Sequence, residues 1–181
     1  MREEVTDPLG IAFWFGLPAA LHARAVDLVG FDAIPLSSDR SELYARAVGN
    51  PPGAFDPAVV NAPRWRSAEI PAVNGFGTAR GIATMYVELV AGRIVSPALL
   101  AEMATPQSTG VDRVFGHDGS WGLGVAVDGD GFGMGGTGGH YGGWSAVGGY
   151  AFAFVTGLMG GPDRGETVEA ALREVIGAPA L

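Results

Sequence analysis

The feature that most constrains this chain is a change of apolar period at Gly119. Before it, apolar residues recur at helical spacing. After it, Trp121, Leu123, Val125 and Val127 alternate with Gly122, Gly124 and Ala126, so one face carries bulk and the other almost none. Asp128-Gly129-Asp130-Gly131 then supplies a hairpin turn, its residues being ones that tolerate positive φ. A glycine-rich strand is expected from Phe132 towards Ala146. Gly148-Gly149 turns the chain again, and Tyr150, Phe152 and Phe154 alternate with Ala151, Ala153 and Val155. The pattern predicts a three-stranded antiparallel meander.

The helical region is punctuated by prolines. Leu21, Ala25, Leu28 and Val29 predict a helix within 18–29, and a second is expected from Ser38 through Val48, stopped by Gly49 before Pro51-Pro52. The clearest stripe is Ile82, Met85, Tyr86, Leu89 and Val90, at i, i+3, i+4, i+7 and i+8, within a helix over about 77–91. Ser96-Pro97 places an N-cap before a proline at the first helical position. A last helix is expected over 166–176, with Val168, Ala171, Leu172, Val175 and Ile176 as its buried stripe and Gly177 and Pro179 as its stop. The fold class is therefore α+β, with no alternating βα units: a helical and loop region over 1–116, then an antiparallel sheet plus C-terminal helix over 117–181, as one partial domain.

Composition removes several function classes. All eleven basic residues are arginine, scattered along a chain of net charge −8, which disfavours nucleic acid and anionic membranes as partners. The absence of lysine excludes a phosphate loop, which needs G-x-x-x-x-G-K-[ST]. With no cysteine there are no disulfides, thiol nucleophiles or thiolate metal sites, and the redox compartment stays open. No segment reads as a signal peptide or membrane span, so a cytoplasmic location is expected. His22, His117 and His140 are far apart and form no ligand pair, and no metal or other cofactor is expected. Gly133 to Gly138 satisfies G-x-G-x-x-G, but a dinucleotide site needs a helix after the glycines and an acid about 20 residues on. Gly139-His140-Tyr141-Gly142 does not open a helix, and Ala153 stands where the acid belongs. A Ser-His-Asp triad stays compositionally open, although no serine has glycines at both −2 and +2, and Ser145 reads as structural.

Several ordered stretches carry a resemblance. They are Val5-Thr6-Asp7-Pro8-Leu9-Gly10-Ile11, the run from Asn61 through Trp65-Arg66-Ser67-Ala68-Glu69-Ile70-Pro71 and Asn74-Gly75 into Gly77-Thr78-Ala79, and Phe132-Gly133-Met134-Gly135-Gly136-Thr137-Gly138-Gly139. Together they resemble the serine β-lactamase-like esterases, a branch of the penicillin-binding-protein and class C β-lactamase superfamily. In that family a serine of Ser-x-x-Lys attacks an ester or lactam carbonyl. The lysine, with a tyrosine of Tyr-x-Asn, moves the proton, and a third motif, Lys-Thr-Gly or His-x-Gly, lines the site beside one half of the oxyanion hole.

Tested against this chain, Ser-x-x-Lys cannot exist without lysine. Tyr-x-Asn is also absent, because Tyr44, Tyr86, Tyr141 and Tyr150 are followed at +2 by Arg46, Glu88, Gly143 and Phe152. The resemblance therefore implies the C-terminal portion of such a hydrolase, inactive alone. The third motif has two registers. Met134-Gly135-Gly136 keeps the match ungapped and makes the Thr137 N–H the oxyanion donor; His140-Tyr141-Gly142 fits His-x-Gly but breaks it. Methionine brings neither charge nor a strong donor to the first position. The alternative is a non-catalytic structural or interaction module. In family topology N-terminal strands pair with the last strand, so the strand bearing Tyr150, Phe152 and Phe154 is expected to be an open edge. It would pair with a second copy, as a homodimer, or with a missing N-terminal segment.

Overall fold

The computed structural model describes residues 1–33 and 41–180. After a short π-helical turn over Arg2–Thr6, β1 (Phe13–Phe15) pairs antiparallel with β2 (Gly75–Gly77). Between them lie the helices α1 (Glu42–Val48), α2 (Pro57–Val60) and α3 (Pro63–Ser67). Then come α4 (Ala79–Val90) and α5 (Pro97–Met103), six strands, and α6 (Asp163–Ile176). The strands are β3 (Ser108–Val111), β4 (Asp118–Trp121), β5 (Ala126–Val127), β6 (Gly131–Gly136), β7 (His140–Ser145) and β8 (Tyr150–Phe154), neighbours in chain order throughout.

Local chemistry sets the helix starts. Ser41, Asp56, Thr78 and Ser96 each accept a hydrogen bond from a backbone N–H of the first turn, and Pro57, Pro63 and Pro97 occupy positions whose N–H would have no helical partner. Gly177 ends α6 in the left-handed conformation, at φ 69°. The expected start at Ser38 lies outside the described residues. The helix expected within 18–29 is instead a 3-10 segment, Ala19–Arg24. Beyond it the chain must extend, because Leu28 exchanges two hydrogen bonds with the Asn61 amide and Val29 pairs with Gly157 and Met159.

The meander is longer and more divided than its sequence pattern. The strand expected to run through Trp121 and Val127 breaks at Gly122–Val125, where Gly124 takes φ 78°. The long glycine-rich strand folds on itself at Thr137-Gly138-Gly139, with Gly138 and Gly139 at φ 96° and 84°, and becomes two strands. The sheet also begins at Ser108 rather than 117. Ser108 to Val111 pair with Trp121 to Asp118 although their side chains are polar or exposed, so backbone pairing alone identifies β3.

Against one face of the sheet lies α4. A Cβ on Gly142 would stand 2.6 Å from Ile82 Cγ2 and 3.1 Å from the Tyr86 ring, so this glycine allows close helix–strand approach. On the other face lies α6, where a Cβ on Gly165 would stand 3.3 Å from the Phe154 ring. The burial of α6 reverses the expected pattern. Gly165, Glu169 and Arg173 are buried, whereas Val168, Val175 and Ile176 are exposed. The buried polar side chains meet in a cluster: Arg173 donates to Asp130 Oδ2 (2.5 Å) and the Pro179 carbonyl (2.8 Å), and lies 3.5 Å from Glu169, while its Nε is buried without a partner among the described residues. Tyr150 donates its hydroxyl to Glu169 (2.6 Å), and Ser145 donates to Asp130 Oδ1 (3.0 Å). Ser145 is thereby structural.

Candidate active-site cleft

The open end of β6 is the chemically distinctive part of the sheet. β6 and β7 pair without a bulge from Gly131↔Ser145 to Gly136↔His140. Asp128 N–H donates to the Gly131 carbonyl on the β5 side, and Gly139 N–H donates to the Gly136 carbonyl on the β7 side. Backbone groups alternate along a strand, so Gly131, Gly133 and Gly135 face β5, and Phe132, Met134 and Gly136 face β7. Yet β5 pairs only as far as Gly133. Among the described residues, the N–H and C=O of Gly135 therefore look out from an unpaired stretch of edge.

Side chains alternate likewise. Phe132 contacts the Tyr86 ring on the α4 face, with centroids 6.1 Å apart. Met134 shares that face and is 40% exposed. Gly135, Gly136 and Thr137 are exposed, Thr137 at the start of the turn. His140, Tyr141 and Gly142 are the first three residues of β7, a central strand paired on both sides. Both candidate third motifs thus occupy the same end of one hairpin, but on strands with different backbone availability.

That hairpin end is fixed from behind. Arg164 donates to the carbonyls of Leu158 (2.7 Å) and Gly138 (3.3 Å), tying the turn to the loop before α6. Burial and then the nearby Arg164 cation lower the pKa of His140, favouring the neutral imidazole. Two hollows meet at His140. One, of about 840 Å³, is lined by Gly135, Gly136, Tyr141 and Trp144 and reaches Asp128 and Glu169; the other, of about 620 Å³, is lined by Trp14, Leu17, Val60, Trp65, Phe76 and Ile82.

No catalytic set assembles among the described residues. Burial pushes Tyr86 up to about 12. Burial and the hydrogen bond to Glu169 push Tyr150 up to about 12. Tyr141 is also raised, by burial and by the Glu169 and Asp128 carboxylates. These three phenols therefore stay protonated near neutral pH and are poor bases. Among the described residues one serine–histidine contact exists: Ser67 Oγ lies 3.3 Å from His22 Nε2. That nitrogen is also 3.0 Å from the Leu17 carbonyl, which can only accept, so it carries the proton and cannot take one from Ser67. Among the described residues no cluster of three or more histidine or acidic side chains is placed to hold a metal.

The run from Asn61 to Gly75 proves to be scaffolding. Asn74 is buried; its amide donates to the carbonyls of Trp65 (3.0 Å) and Ala68 (2.6 Å), and its oxygen accepts from Ile70 N–H (2.9 Å). Arg66, also buried, donates to the His22 carbonyl (2.8 Å) and pairs with Asp27. Together they hold the chain that leads into β2 and α4. Polar residues inside a proline-rich loop were the only sign of this in the sequence.

Comparisons with known proteins agree with this geometry. A penicillin-binding protein homologue from Caulobacter crescentus matches with a TM-score of 0.74 and 28% identity, over 88% of this chain and 46% of its own. A family VIII carboxylesterase matches with a TM-score of 0.79 and 27% identity, over 95% of this chain and 50% of its own. EstA from Arthrobacter nitroguajacolicus Rue61a shares the fold, with a TM-score of 0.79 and 21% identity, over 97% and 52%. The chain thus spans about half the length of these structures. No curated protein matched it. The Beta-lactamase family model matches residues 1–176, and on that match, with the open β6 edge and the fold it shares, the chain belongs to the β-lactamase family.

Proposed function

We propose that this chain builds the C-terminal half of an acyl-serine hydrolase site for esters or lactams, and that it is inactive alone. The observation that carries the reading is the unpaired edge of β6 from Met134 to Gly136. The same alternation that turns Gly135 outward favours an outward N–H at Thr137, the position of an oxyanion donor. It also supports the Met134 register over His140-Tyr141-Gly142, because β7 is paired on both sides and has no free backbone to offer a substrate. Met134 would line the site without charge, so carbonyl polarisation rests on backbone dipoles alone. In the intact reaction a serine oxygen displaces the alcohol or ring nitrogen to give an acyl-serine, which water then cleaves. Serine, lysine and tyrosine would come from a segment bearing Ser-x-x-Lys and Tyr-x-Asn.

The test mixes this chain with the N-terminal half of a family VIII carboxylesterase and assays p-nitrophenyl butyrate and nitrocefin. The chain alone gives no turnover above buffer. The mixture gives turnover that is lost when the added serine is changed to alanine. Hydrolysis by the chain alone, surviving substitution of each of its serines, refutes the reading.

A further inference from the structure

We infer that Arg164 is a positioning residue for the oxyanion donor: its guanidinium fixes and polarises the Thr137 N–H through two peptide groups in series. This rests on the role given to Thr137 under the proposed function, whereas the series of bonds is read from the turn itself. Arg164 Nη2 donates to the Gly138 carbonyl (3.3 Å). That carbonyl and the Gly139 N–H belong to one peptide unit, and the Gly139 N–H donates to the Gly136 carbonyl (3.1 Å). The Gly136 carbonyl in turn shares its peptide unit with the Thr137 N–H. Both units are trans. In a trans unit the C=O and N–H point in opposite directions, so the two dipoles line up head to tail from the cation to Thr137.

A hydrogen bond accepted at a carbonyl strengthens the donor at the other end of the same peptide, and two such steps carry the effect from a charge to the N–H. Arg164 can spend its charge on this path because, among the described residues, it pairs with no carboxylate; the ion pairs use Arg2, Arg66, Arg93 and Arg173. Its other hydrogen bonds go to the Leu158 carbonyl (2.7 Å) and Thr156 Oγ1 (3.5 Å). The cation is felt at the hairpin end, where after burial it is the second cause holding His140 below its ordinary range. The path also compensates for Met134, which brings no charge to the first position of the motif.

The turn is seated tightly on its support. A Cβ on Gly138 would stand 2.6 Å from Met159 Sδ, and one on Gly139 would overlap the Gly161 carbonyl. The two glycines therefore let the turn lie directly on the loop that leads into α6. A Cβ on Gly160 would stand 3.1 Å from Arg164 Nη2, so that glycine leaves room for the guanidinium. Arg164 itself is in the first turn of α6. The direction of the Thr137 N–H is thereby tied to a helix and not to a loop alone.

The test is NMR on the full chain. Arg164→Met keeps the reach of the side chain and removes its charge and donors, whereas Arg164→Lys keeps the charge. R164M should move the Thr137 amide proton upfield and speed hydrogen exchange at Gly139 roughly fivefold, the worth of one net hydrogen bond. Amides of the β7–β8 ladder should exchange as before, which a general loosening of the fold would not allow, and R164K should restore most of both signals. Mixed with the N-terminal half of a family VIII carboxylesterase, R164M should lower kcat for p-nitrophenyl butyrate roughly tenfold and leave KM unchanged, a smaller loss than removing a donor outright. If R164M does not fold, the unaltered chain decides, through scalar couplings across the two hydrogen bonds: Arg164 Nη2 to the Gly138 carbonyl carbon, and Gly139 nitrogen to the Gly136 carbonyl carbon. Thr137 and Gly139 amides indifferent to R164M, an unchanged kcat, or the absence of either coupling overturns the proposal. A mixture with the unaltered chain that gives no turnover refutes the hydrolase reading instead, and the amide signals of the chain alone still decide whether Arg164 acts on Thr137.

Discussion

Removing the Asn74 side chain gives the sharpest test of how this fold is held. Asn74→Ala leaves the half-buried Ala68 carbonyl without its amide donor and the Ile70 N–H without its amide acceptor, and takes from the Trp65 carbonyl one of its two donors, the other being Ala68 N–H. A net hydrogen bond is worth about 1 kcal/mol, and a buried group left unsatisfied costs about 1–3 kcal/mol. Some of these groups will recruit water, so the expected loss is about 3 kcal/mol, a large share of the ~5–15 kcal/mol stability of a domain. For a chain of this size that lowers Tm by about 6–12 °C. Urea unfolding with an unchanged m-value measures it directly.

Asn74→Asp separates hydrogen bonding from packing. It keeps the shape and the acceptor for Ile70 but turns a carboxylate oxygen towards two carbonyls, so at pH 7 it should be at least as harmful as alanine. Its carboxyl would have a folded-state pKa above the unfolded ~3.9, so its penalty shrinks as pH falls towards that value. Loss of less than about 0.5 kcal/mol in N74A, or an N74D milder than N74A at pH 7, refutes the donor argument.

Other perturbations follow from the same contacts. Arg173→Ala takes the buried guanidinium away from the half-buried Asp130 and the buried Glu169, leaving them only Ser145 and Tyr150 as side-chain donors, and should cost about 3 kcal/mol in thermal or urea unfolding. Gly142→Ala drives a methyl into Ile82 and Tyr86 and should cost about 1–3 kcal/mol, with near-ultraviolet dichroism reporting the displaced tyrosine. The lowered pKa of His140 means that the folded state binds fewer protons than the unfolded. Stability should therefore be full above the unfolded value of about 6.5 and decline as pH falls from there to the folded value. Urea midpoints from pH 7.5 downward, compared with His140→Gln, should show that slope in the native chain and not in the variant.

The sequence was most legible where local chemistry decides. Thr78 and Ser96 cap helices, Gly177 closes one, and the Asp128–Gly131 and Gly148-Gly149 turns lie where their residues predict. It was least legible where pairing is made by backbone, as in β1, β2 and β3, whose short segments, three aromatic residues in β1 and glycine-rich or polar ones in β2 and β3, carry no alternation of apolar and polar side chains. The hairpin at Thr137-Gly138-Gly139 was hidden because glycine suits a strand and a turn alike in a run so rich in it. The burial of α6 was misread because counting apolar residues gives no weight to an acid and an arginine four apart, here Glu169 and Arg173. Of the candidate site, the residues were legible and their availability was not. The short reach of β5 leaves Gly135 free among the described residues, and the pairing of β7 with β6 and β8 shows that Gly142 is not.

Arg173 has one further consequence, which concerns force. The same guanidinium holds the Pro179 carbonyl, the Asp130 carboxylate at the β5–β6 turn and, through Glu169, the phenol that anchors β8. Load applied beyond Pro179 would therefore not peel α6 away turn by turn. It would arrive at once at the turn feeding β6 and at β8, so a handle or fusion attached there pulls on two strands of the sheet together.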